Sequence, residues 1–130
     1  PMKEIINNLR KDKITKNIPI ILFTKGGGNW LKEISKSGCN AIGLDWTIDI
    51  SNAREIVGEN ICLQGNLDPC ALHGPEESIQ NAASKIIDSY GFGHKHIFNL
   101  GHGIDQFVDP DNLNVLIKHV KEYSVKYHKN

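Results

Sequence analysis

Four short apolar runs, each leading into a polar or glycine-bearing turn and then into helical periodicity, constrain this chain more than any other feature. They lie at residues 18–23, 41–44, 61–64 and 97–100. Runs that are short and nearly continuously apolar suit strands covered on both faces, as in parallel sheets. Segments with helical spacing separate them: Met2, Ile5, Ile6 and Leu9 before the first, and Trp30, Leu31 and Ile34 after it. A capped stretch at 51–57 follows the second run. The third is followed by Ile79, Ala82, Ala83, Ile86, Ile87 and Tyr90, and Leu113, Leu116, Ile117, Val120, Tyr123, Ser124 and Tyr127 trace a closing helix.

The punctuation agrees with this division. Pro19 is tolerable at a strand start. Asn29 is placed to cap the short helix that Gly38 ends, Gly58 stops the next, and Asp68-Pro69 and Asp109-Pro110 each pair a cap with a first-turn proline. Pro75 opens a long helix that Gly91 and Gly93 end, and Lys126, His128 and Lys129 suit the last turn of the closing one.

Alternating strands and helices predict parallel α/β architecture, either doubly wound or a (β/α)8 barrel. Gly26-Gly27-Gly28 has neither the dinucleotide nor the P-loop spacing, and Lys25 precedes the glycines instead of following them. A barrel takes about 250 residues and eight strands, whereas this chain has 130 residues and four candidate strands. It opens on a helix, as a cut after a barrel strand would leave. The expected fold is therefore the C-terminal half of a (β/α)8 TIM barrel, with residues 1–130 one portion of a single barrel domain whose N-terminal portion is absent.

Composition narrows the function classes. Fifteen Lys and Arg balance fifteen Asp and Glu, which argues against a basic nucleic-acid binder or a polybasic membrane tether. No apolar run approaches the roughly 20 residues of a membrane span, and no secretory signal opens the chain. Three cysteines, Cys39, Cys62 and Cys70, without a C-x-x-C pair, point to a reducing, intracellular setting and give little basis for zinc. Only Arg10 and Arg54 are arginine, so a site that clamps several carboxylates has few forks available here.

Functional loops of parallel α/β folds follow the C-terminal strand ends. Those positions hold Lys25 and its glycines, Asp45-Trp46-Thr47, Gln64 with Asn66, and Gly101-His102-Gly103. His102 is the only side chain between two glycines, which suits either close approach to a ligand or a turn histidine bonded to local backbone. Asp45 and Asp49 read as an acid/base pair or, more simply, as a strand-end acceptor and a helix cap. Lys25 reads as an anion contact or a solvated lysine, and Trp30 and Trp46 as pocket walls or core aromatics. His94 and His96 lack a third ligand at metal spacing and read as a surface loop.

Four motifs in register carry a resemblance: Ile20-Ile21-Leu22-Phe23-Thr24-Lys25-Gly26, Gly43-Leu44-Asp45-Trp46-Thr47, Leu63-Gln64-Gly65-Asn66-Leu67-Asp68-Pro69 and Asn99-Leu100-Gly101-His102-Gly103. From about Pro19 to the final helix the chain resembles the C-terminal part of the uroporphyrinogen decarboxylases. The resemblance implies a cytoplasmic, homodimeric TIM-barrel lyase of heme and tetrapyrrole biosynthesis. Such an enzyme removes the carboxyl groups of the four acetate side chains of uroporphyrinogen III to give coproporphyrinogen III, with neither metal nor organic cofactor. It implies that His102 contacts the porphyrinogen substrate and that Phe23 forms an apolar wall to it. It also implies that the arginine cluster, the aspartate that holds the pyrrole N–H groups, and the tyrosine and serine contacts precede residue 1, leaving no catalytic residue in this fragment. A corrinoid-linked methyltransferase of the same superfamily would need thiolate and imidazole zinc ligands, and no His-x-Cys pair is present. A non-catalytic half-barrel interaction module is the other alternative.

Overall fold

The computed structural model describes residues 1–127. Its order is α1 (Met2–Lys11), β1 (Ile21–Phe23), α2 (Leu31–Ser35), β2 (Ala41–Gly43), α3 (Ile50–Val57), β3 (Cys62–Leu67), α4 (Glu76–Tyr90), β4 (His96–Leu100) and α5 (Pro110–Tyr123), with 3-10 turns at Gly27–Trp30, Pro69–His73 and Ser124–Tyr127. The strands form one parallel sheet in the order β1-β2-β3-β4. A doubly wound sheet reverses its strand order at a switch point; this sheet steps in one direction only, as an arc of a barrel does.

Register decides which residues face which layer. Leu22, Ile42 and Leu63 lie side by side and are buried against Ile6 of α1, Leu31 of α2 and Ile50 and Ala53 of α3. Leu67, Phe98 and Leu100 pack with Leu72, Ile79, Ala83 and Leu116 in a second cluster. Helices therefore cover one face. On the other, Ile21, Phe23 and Ile97 keep 49%, 45% and 43% of their surface exposed, the inward face of a barrel arc that nothing among the described residues covers.

Element boundaries differ from expectation where polar side chains compete with the ladder. The first strand begins at Ile21 because the backbone before it is tied elsewhere: Arg10 donates to the Ile18 carbonyl at 2.8 Å, and Asn40 Oδ1 accepts the Ile20 N–H at 2.8 Å. The third strand runs on to Leu67, since β4 pairs with Asn66 and Leu67 where a turn was expected. Asn29 caps nothing; it lies inside the 3-10 turn that begins after Gly26, whose φ of 70° is left-handed. Asp49, Asp68 and Asp109 do cap the elements that follow them, and Gly91, at φ 77°, ends α4. Lys126 falls in a 3-10 turn beyond α5; His128 and Lys129 lie outside the described residues.

Candidate functional site

The sheet brings the four strand-end segments together at one end, and buried polar side chains tie them to each other. Asp45, 1% exposed, accepts the Gly26 N–H at 2.5 Å through Oδ2 and the Thr47 N–H at 2.8 Å through Oδ1, with the Thr47 hydroxyl also donating to Oδ1. Burial pushes its carboxyl up. The hydrogen bonds from Thr47 and Gly26 and the charge of Lys25 outweigh that, holding it below the usual carboxylate range. Asn66, equally buried, donates to the Asp45 carbonyl at 2.8 Å and the Ile48 carbonyl at 2.5 Å. One carboxylate thus joins the β1 loop to the β2 loop, and one amide joins the β2 loop to β3.

The loop after β4 is joined by contact. A Cβ on Gly101 would lie 2.3 Å from Trp46 N and 2.8 Å from Trp46 Cα, so only glycine permits this approach. The Gly101 N–H donates to the Leu67 carbonyl at 2.7 Å. His102 then projects with its ring 5.5 Å from Trp46, edge-on at 88°, and 6.4 Å from Phe23. Phe23 in turn lies over Gly43, where a Cβ would meet its side chain at 3.1 Å. The Lys25 ammonium stands 5.3 Å from the Trp46 ring centroid, within cation–π range.

His102 and Phe23 line a cavity of about 720 Å³ together with Gln64, Asn99, Ile117 and Val120. Gln64 and Phe23 share the bare face, whereas Ile117 and Val120 belong to α5. The cavity therefore wraps the open edge of β4, combining the mouth of the arc with the space a neighbouring strand would fill.

Of the other sequence candidates, Asp49 is a helix cap: it accepts the Asn52 N–H at 2.8 Å and the Ser51 hydroxyl at 2.6 Å. Its simple reading holds, as does that of Asp45, and the two carboxylates form no acid/base pair. Trp30, 63% exposed, neither belongs to the core nor lines the cavity, and Trp46 is half-buried beneath His102. His96 is no loop residue; it opens β4, stacks on Tyr90 at 4.4 Å and bonds the Gly65 carbonyl through Nε2 at 2.9 Å. Cys39 is buried and Cys70 exposed, and among the described residues no three His, Cys, Asp or Glu side chains gather as a metal-holding group. Among them, too, no helix is long and apolar enough to cross a membrane. The tie made by Asn66 was missed, its only signal in the sequence being a polar residue at a strand end.

Both arginines are committed to the fold. Arg10 bonds the Lys16 and Ile18 carbonyls and Asn40. Arg54 bonds the Gly58 and Ile61 carbonyls and the Tyr90 hydroxyl, stacked 5.2 Å from the Tyr90 ring. Both guanidinium groups are thus engaged in holding backbone carbonyls.

Comparison with known proteins places this arrangement. Uroporphyrinogen decarboxylase of Nitrosomonas europaea is 54% identical over 127 residues, covering 98% of this chain and 36% of that protein. Its counterpart from Pseudoalteromonas translucida is 48% identical over 128 residues with the same coverage. The chain thus spans about a third of the length of these curated relatives. Among solved structures, a methyltransferase from Methanosarcina mazei superposes with a TM-score of 0.74 at 20% identity, over 92% of this chain and 35% of that one; at that identity the likeness speaks for a partial (β/α) barrel and nothing further. The family model described as uroporphyrinogen decarboxylase (URO-D) matches residues 1–123, and the chain accordingly belongs to the uroporphyrinogen decarboxylase family.

Proposed function

We propose that this chain is the C-terminal portion of a barrel enzyme that decarboxylates the four acetate side chains of uroporphyrinogen III, giving coproporphyrinogen III in tetrapyrrole biosynthesis. The observation that carries the reading is the match across residues 1–123 together with His102 standing at the mouth of the arc beside Phe23. The chemistry asks for protons and a place to hold a macrocycle. Protonation of a pyrrole carbon makes the ring an electron sink, and CO2 leaves as the bond between the acetate methylene and its carboxyl carbon breaks. A second proton completes the methyl group, and the first is lost as the pyrrole is restored. In this reading His102 contacts the porphyrinogen and Phe23 is an apolar wall beside it. The carboxylate clamps come from the rest of the barrel, because Arg10 and Arg54 are both engaged in the fold. The complete enzyme is a cytoplasmic homodimer without a metal or organic cofactor.

The test is the kinetics of His102→Ala in a protein of the relatives' full length. We expect kcat/KM for uroporphyrinogen to fall at least about tenfold, the scale on which a positioned proton-transfer or binding group acts. Unchanged kinetics would demote His102 to a structural turn.

A further inference from the structure

We propose that Trp46 is the positioning residue for His102, and that Asp45 and Asn66 serve His102 by fixing Trp46. The effect on catalysis rests on the reading of His102 given above; the contact itself does not.

His102 sits in a segment with little restraint of its own. It is exposed, flanked by glycines, and a Cβ on Gly103 would meet nothing within 4 Å. Among the described residues its side chain has ring contacts and no hydrogen bond. Its orientation therefore depends on what its backbone rests on and what its ring meets. Trp46 supplies both. Gly101 lies directly on the Asp45–Trp46 peptide, and the imidazole meets the indole edge-on at 5.5 Å, closer than the 6.4 Å to Phe23.

Trp46 is fixed in turn from both sides. The side chain of Asp45 spans to Gly26 and Thr47, the carbonyl of Asp45 receives Asn66, and Asn66 also holds Ile48. Two buried polar groups thus build a rigid platform from the ends of three strands under a side chain on the fourth. Active sites need this kind of support, because a displacement of about 1 Å in a positioned group can cost up to a hundredfold in rate.

Imidazole ring-proton NMR of this chain tests the contact, with the His102 resonances assigned by their loss in His102→Asn. We expect the His102 resonances to lie away from free-imidazole positions, to return toward them in Trp46→Leu, and to move only part of the way in Trp46→Phe, which keeps an aromatic ring. Phe23→Leu should move them less than Trp46→Leu. Should Trp46→Leu fail to fold, Trp46→Phe still reads the contact; unmoved His102 resonances in a folded Trp46 variant would overturn the proposal. In a protein of the relatives' length, Trp46→Leu should lower kcat/KM by up to the loss seen in His102→Ala, and Trp46→Phe should recover most of it. If His102→Ala leaves turnover intact, the role of His102 in the reaction fails while the NMR result stands on its own.

Discussion

At the residue scale, the glycines on either side of His102 do different work. Gly101 exists to let two backbones touch, whereas Gly103 has open space where a Cβ would lie. Gly101→Ala should therefore destabilise the fold by about 1–3 kcal/mol, the usual cost of overpacking, while Gly103→Ala stays within about 0.5 kcal/mol. Urea midpoints of the two variants check this, and equal midpoints would remove the close approach from the account. Asp45 was legible as a strand-end acceptor because an aspartate there has backbone N–H groups within reach. Its bond to Gly26, 19 positions away, was not, since nothing local in a sequence encodes which loops a sheet brings together. The same holds for Asn66 and for Arg54, whose partners lie on the turn after α3, just before β3, on α4 and in the turn before β4.

Elements were legible where the signal is local. Caps and stops follow from one or two residues, and Asp49, Asp109 and Gly91 act as their positions predict. Strand ends were not, because they depend on partners: β1 loses residues to Arg10 and Asn40, and β3 gains them from β4. The helix cap of α3 has a measurable pH signature. The Ser51 hydroxyl, then the Asn52 N–H, hold the Asp49 carboxyl below its ordinary value. A carboxyl whose folded pKa lies below its unfolded value, near 3.9, contributes full stability above that unfolded value and loses it as pH falls through the folded one. Asp49→Ala should thus cost about 1 kcal/mol at neutral pH, with the gap to the parent narrowing below about pH 4. Chemical denaturation at neutral pH and at about pH 3 measures both; a gap independent of pH would contradict the cap. On the far side of the fold, α4 and the terminal turn are joined at Asp88, which accepts Tyr123 at 2.8 Å and Tyr127 at 2.5 Å and pairs with Lys126. The apolar periodicity gave each of the two helices its buried stripe, but not which polar groups would meet.

For the whole molecule, the alternation of elements made a parallel sheet evident, and the shortfall in length pointed to an arc. The structure adds that the sheet steps in one direction, that its helices lie on one face, and that Ile21, Phe23 and Ile97 stand exposed on the other. Both of the chain's arginines are bonded to backbone carbonyls, and under the proposed function the carboxylate clamps are expected outside this third of the relatives' length. The most direct test is CO2 release from uroporphyrinogen by these 130 residues beside a protein of the relatives' full length. The account predicts turnover by the longer protein and none by the shorter one; release by the shorter one at a comparable rate would contradict it.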